Sequence, residues 1–207
     1  MNQFDSVFTV KDDETYFSTA ILVCGNNDTD RIKLVNHLTN IMESREVEMI
    51  IPNTVDEFIE VADKLHREMM HRFMLMEKEQ VNHASKIKSE KLTSKCLVIN
   101  DINAMYLSGK DVAILRTMFN SIVRLGKAAG IYTIICCPKY KAEVITSDLS
   151  INVITRFYVG EVLDPVMTSY QQYSKRSSAS PYKYIPDDYT LCYSSGKVTL
   201  TKIDEIA

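Results

Sequence analysis

The chain has 207 residues, 45% of them hydrophobic and 25% charged, with a formal net charge of −3. That size and apolar fraction suit a single α/β domain with a full core. The slightly negative total excludes a global basic field that would draw the protein onto nucleic acid or an anionic membrane, and no apolar run reaches the roughly 18 residues a membrane-spanning helix needs.

The opening stretch, Met1 to Val10, carries an early acid, Asp5, and no basic segment, so it is not expected to be a signal peptide. Phe4 to Val10 alternates apolar and polar residues, which predicts a half-buried strand, with a polar turn over Lys11 to Thr15. Ala20 to Cys24 is a continuous apolar run ending at Gly25, as in a strand buried on both faces of a parallel sheet. After the polar loop Asn26 to Asp30, helical spacing of Ile32, Leu34, Val35, Leu38, Ile41 and Met42 predicts a helix. Val47 to Ile51 is a short strand candidate closed by Pro52. A long helix begins at Thr54, whose spacing to Glu57 is that of a capping box. Its apolar face runs Val55, Phe58, Ile59, Ala62, Leu65, Met69, Phe73, Met76. His83 to Lys95 is polar and lysine-rich, and reads as a loop.

Cys96 to Ile99 is a buried strand running into Asn100-Asp101. A helix over Asp111 to Leu125 follows, with Gly126 and Gly130 bracketing its end. Ile131 to Cys137 is another buried strand, stopped by Pro138. Strand, helix and strand in about forty residues make a βαβ unit and hence a parallel sheet. A further strand is expected over Val153 to Val162, a polar loop over Lys175 to Pro186, and a closing hairpin from Tyr189 to Tyr193 and Val198 to Ile203. The five cysteines, Cys24, Cys96, Cys136, Cys137 and Cys192, lie in strand-like runs without zinc-type spacing. They read as reduced core thiols of a cytoplasmic protein.

A strand, a turn and a helix around Gly25 have the layout of a phosphate-binding loop, in which backbone N–H groups hold phosphates, a lysine neutralises them and a hydroxyl binds Mg²⁺. Laid on G-x-x-x-x-G-K-[ST], Gly25 fits the first glycine. Asp30 replaces the second glycine, Arg31 the lysine and Ile32 the hydroxyl; Asn27 and Thr29 lie between. Asp28 and Asp30 put carboxylates where a polyphosphate would lie. Asp30 also suits an N-cap, its carboxylate taking the helix's own anion position. Arg31 keeps a contact with phosphate open as the minority reading. Asp101, at the end of a neighbouring strand, has two readings of equal weight: a metal-coordinating acid, or a cap. Ile102, next to it, cannot act as a base. His66 and His71 lack zincin spacing and read as surface residues. Met69, Met70, Met74 and Met76 read as helix-to-sheet packing. Lys86, Lys88, Lys91 and Lys95, with Lys139, Lys141, Lys175, Arg176 and Lys183, read as a solvated face rather than a phosphate-tracking stripe.

Several stretches together resemble the FtsK/SpoIIIE family of DNA-pumping motors. They are Arg124 to Tyr132, Val144-Ile145-Thr146, Thr155-Arg156-Phe157, the Walker B-like Leu97 to Asp101, Leu65 to Phe73, and Tyr189 to Lys197, with Asp164 at a further family segment. The resemblance implies a RecA-like P-loop NTPase fold: a mostly parallel central sheet flanked by helices, with a C-terminal β-hairpin. It implies one domain over 1–207, with an N-terminal strand and turn (1–19), a core (20–163) and a C-terminal loop and hairpin (164–207). It also brings Mg-ATP, duplex DNA and ring-forming subunits as the family's ligands and partners. The family's phosphate loop corresponds to Gly25 through Ile32, its catalytic Glu to Ile102, and its polar sensor to Cys136-Cys137-Pro138. Lysine, base and sensor are therefore all absent. No membrane anchor or DNA-reading winged-helix module is legible. The expectation is a pseudo-ATPase without cofactor, associating with itself or with a related motor. The alternatives are an active translocase using Arg31 and Asp101, a degenerate ATPase domain of a type VII-like secretion motor that binds protein substrates, and a nucleotide sensor that does not hydrolyse.

Overall fold

The computed structural model describes residues 8–11, 14–17, 20–106, 112–141, 143–161, 185–194 and 197–206. Near the start, Phe8–Lys11 (β1) and Glu14–Phe17 (β2) pair antiparallel in a two-stranded sheet of their own. The alternation up to Val10 predicts only the first of these. Lys11 and Thr15, expected in a turn, are paired strand residues.

Seven strands form the main sheet: Ala20–Cys24 (β3), Glu48–Ile50 (β4), Lys95–Ile99 (β5), Ile131–Cys137 (β6), Thr155–Tyr158 (β7), Tyr189–Ser194 (β8) and Lys197–Lys202 (β9). Their order is β4-β5-β6-β3-β7-β8-β9. From β4 to β7 the pairing is parallel; β7–β8 and the β8–β9 hairpin are antiparallel. Every residue of β3 and β6 is buried. These runs are almost wholly apolar, Thr133 apart, because helices cover both faces of the sheet.

The helices are Asp28–Glu43 (α1), Val55–Glu79 (α2), Ile102–Tyr106 (α3), Val112–Leu125 (α4) and Ser147–Asn152 (α5). Alternation along β3 sorts them. Ala20, Leu22 and Cys24 join the core under α2 and α4, where Phe58 and Phe119 meet edge to face at 5.5 Å. Ile21 and Val23 join the core under α1, with Leu34, Leu38 and Met42. Burying such side chains supplies about 1.5–3 kcal/mol each.

Thr54 caps α2, accepting from the Glu57 N–H at 3.2 Å. The return arm of the expected capping box reaches one residue further back, from Asn53 N–H to the Glu57 carboxylate at 2.7 Å. Met69 and Met76 are buried as expected, whereas Met70 and Met74 face solvent. Among the described residues, the strand expected over Val153 to Val162 is Thr155–Tyr158, and Val162 lies outside them. α5, capped by Thr146, occupies the preceding residues, and Gly160 turns the chain at φ 69°. Among the described residues, Lys95 and Lys139 do not share one face. Lys95 starts β5 and pairs with Glu68 and Glu48, while Lys139 follows the far end of parallel β6. Asp164, Lys175, Arg176 and Lys183 lie outside the described residues.

Candidate functional site

α1 starts earlier than the apolar periodicity suggests. Its N-cap is Asn27, whose side-chain oxygen accepts from the Asp30 N–H at 3.1 Å. Asp30, expected as the cap, is the third residue of the helix and is buried. Its carboxylate still closes the helix start, but from the first turn: it accepts from Asn27 Nδ2 at 2.9 Å and from the Asp188 N–H at 3.0 Å. Burial raises the Asp30 carboxyl above the ordinary range; the Asp188 N–H offsets part of this, and the Asp188 and Asp187 carboxylates add to it.

Gly25 is fixed by its surroundings. Its φ is 144°, and a Cβ there would stand 1.7 Å from the carbonyl oxygen of Val159. Its N–H donates to Cys137 at 3.1 Å, tying the loop to β6. Gly160 meets the same loop from below, where a Cβ would come within 2.5 Å of Asn26 Oδ1. Asn26 in turn accepts from the Glu161 N–H at 3.0 Å.

Arg31 stands where a phosphate loop carries its lysine, and its side chain turns back onto its own loop. Nη1 donates to the Gly25 carbonyl at 2.8 Å and pairs with the Asp28 carboxylate at 2.7 Å. The following residue, Ile32, is 58% exposed. With Arg31, Val35, Asn36, Asn100 and Cys136 it lines an open groove of about 420 Å³ between α1 and the ends of β5 and β6.

Asp101 lies one strand further from the loop than a direct neighbour would, because β6 is inserted between β5 and β3. Its Oδ1 accepts from the N–H groups of Asn103 at 2.9 Å and Ala104 at 3.3 Å, which makes it the cap of α3. These contacts are those of the cap reading. Ile102 is fully buried in the core. Asn103 is buried and donates to the Lys139 carbonyl at 3.0 Å. Thr29 is exposed at the first turn of α1.

The C-terminal segment completes the site in a way no local pattern announces. Asn27 donates to Asp187 at 3.1 Å. Lys33 bridges Asp188 at 2.9 Å and Asp204 at 3.0 Å, and these hydrogen bonds raise its ammonium pKa. His37 hydrogen-bonds the Ile206 carbonyl. The partners are more than 150 positions apart in sequence. Among the described residues no three or more His, Cys, Asp or Glu side chains are grouped to hold a metal, and no helix is long and apolar enough to cross a membrane.

Neither a protein-family model nor a curated protein matches the sequence. Solved structures do match. The conjugation coupling protein TcpA of pCW3, in monomer form with ATPγS, superposes with a TM-score of 0.71 at 16% identity, covering 89% of this chain and 60% of that one. EssC (ATPases 2 and 3) from Geobacillus thermodenitrificans gives 0.61 at 14% identity, over 91% of this chain and 41% of that one. The genome packaging NTPase B204 from Sulfolobus turreted icosahedral virus 2, with ATPγS, gives 0.55 at 12% identity, over 89% and 97%. This chain thus spans less than two thirds of TcpA and EssC but nearly all of B204. Likeness at such low identity speaks to architecture, and it agrees with the sheet order and the helix placement: the chain has the FtsK/SpoIIIE-like P-loop ATPase fold.

Proposed function

We propose that this domain is a pseudo-ATPase: a motor fold that serves as a binding or assembly module and does not turn over nucleotide. The observation that carries the proposal is the Arg31 side chain, already paired with the Gly25 carbonyl and the Asp28 carboxylate. A phosphate would have to break the Arg31–Asp28 pair and then lie beside the released Asp28 carboxylate. The donor set also misfits a magnesium–nucleotide complex. Ile32 offers a metal no oxygen, Asp101 caps α3, and Ile102 cannot accept a proton from water. Pro138, in the sensor position, has no polar side chain.

The partners that suit such a module are a second copy of the chain or a related motor subunit, with duplex DNA as a further ligand class. Thermal denaturation with Mg-ATP, and separately with duplex DNA, tests this. A ligand of the folded state present at 100 times its dissociation constant adds about 2.7 kcal/mol. The expected result is no stabilisation by millimolar Mg-ATP. Stabilisation by Mg-ATP that disappears in Arg31→Ala would overturn the proposal.

A further inference from the structure

Two of the five cysteines stand apart from the others by position. Cys24 ends β3 and Cys137 ends β6, and they are direct partners in the parallel register. Neighbouring strands lie about 4.8 Å apart, inside the roughly 4.4–6.8 Å Cα separation that a disulfide spans. Both side chains point into the same core layer, under α2 and α4. Cys136, one residue away, points into the opposite layer under α1. Register and alternation therefore pair Cys24 with Cys137 and keep Cys136 out of reach of both.

A second, independent feature brings a small reagent to Cys24, beside the fully buried Cys137. A cavity of about 160 Å³ opens against Cys24 and Gly25 on one wall and Pro138, Lys139 and Tyr140 on another. It is several times the roughly 30 Å³ share of one water molecule. The Cys137 sulfur also sits 3.0 Å from the Lys139 carbonyl. The hydrogen bond from Cys24 outweighs burial and holds the Cys137 thiol below its ordinary pKa. Burial pushes Cys136 and Cys192 up to about 12 and raises Cys96 as well, so those three are poor nucleophiles at neutral pH.

We infer that Cys24 and Cys137 form an oxidisable dithiol at the root of the degenerate phosphate loop, with a small hydroperoxide as oxidant. The Cys137 thiolate attacks one oxygen of hydrogen peroxide. The O–O bond breaks, and hydroxide leaves and takes up the thiol proton as water, giving Cys137 sulfenic acid. Cys24 sulfur then attacks the Cys137 sulfur, and the sulfenic hydroxyl departs as a second water with the Cys24 proton. Two thiols and one peroxide become one disulfide and two waters. The bond would join β3 to β6 where the Gly25 N–H already meets the Cys137 carbonyl, cross-linking the loop to the strand beside it. This inference is independent of whether the loop binds nucleotide.

The test is peptide mapping of the full chain. Folded, reduced protein is treated with hydrogen peroxide, denatured, alkylated and digested. The expected product joins the Cys24 and Cys137 peptides through a dithiothreitol-reversible bond, with Cys96, Cys136 and Cys192 alkylated. Thiol loss at the pair should outrun that at Cys136 by at least about tenfold. In Cys24→Ser the cross-link should vanish, with Cys137 advancing to sulfinic acid; Cys136→Ser should leave the cross-link intact. Full alkylation of all five cysteines after treatment, or a disulfide that includes Cys136, would overturn the inference.

Discussion

Arg72 and Arg31 sit at opposite ends of the parallel strands of one sheet, and both direct their guanidinium groups onto the protein itself. Arg72, on α2, is 1% exposed. It donates to the Ala129 and Thr93 carbonyls, each at 2.7 Å, and to Glu68 at 2.5 Å. Glu68 also accepts from Lys95 at 2.8 Å. This network stitches α2 to the segments entering β5 and β6. Arg31 does the corresponding work at the exit end, on a shorter circuit of one carbonyl and one exposed carboxylate. Both sets of hydrogen bonds end on the chain.

The two ends differ most in what removal would cost. Arg72→Ala would leave the buried Ala129 carbonyl and the Thr93 carbonyl without this donor and Glu68 with Lys95 alone, and should lower unfolding stability by about 3–5 kcal/mol in urea denaturation. Arg72→Lys should recover little of this, because an ammonium cannot span the same fork. At the loop end the backbone dominates. Gly25→Ala should cost about 3 kcal/mol by the same measurement, from its positive φ and the contact with Val159. Asp101→Ala should cost about 1 kcal/mol, the usual value of a lost cap. A loss near zero would mean that the cap of α3 has been misassigned.

Two carboxylates, Glu68 and Asp30, sharpen the contrast through pH. Burial alone would raise Glu68, but the hydrogen bonds from Lys95 and Arg72 hold it below its reference of 4.5. Its contribution is present above that reference pH and lost as pH falls through the lower folded-state value. Glu68→Gln should remove that acid-side slope. Asp30 is shifted the other way, above its reference of 3.8. It carries a penalty that grows as pH rises from there through its folded-state value. Asp30→Asn should therefore be better tolerated at pH 7 than at pH 3, with a change within about 1 kcal/mol at pH 7. Equal slopes in the two variants would break the comparison.

Much of the sheet was legible because burial on both faces imposes almost unbroken apolar runs, as in Ala20–Cys24 and Ile131–Cys137. The α2 start was legible because Thr54 and Glu57 act locally. The site was legible only in what it lacks. The cap of α1 was misplaced from Asn27 to Asp30 because either residue could cap; the choice follows from Asp188, which holds Asp30 from across the chain. The same distance hid Lys33, His37, Asp187 and Asp204, whose partners meet only after β8 and β9 have joined the sheet. Arg72 carried no signal of burial because a charged residue on a helix ordinarily faces water. The Cys24–Cys137 pairing needed the strand register, which sequence pattern does not supply.

The most direct test of the central claim is steady-state phosphate release from ATP with Mg²⁺, with and without duplex DNA. The Arg31 pairing and the missing base predict release no faster than a protein-free control in both conditions. Turnover above that control, lost in Arg31→Ala or Asp101→Ala, would contradict the account and make the loop a working nucleotide site.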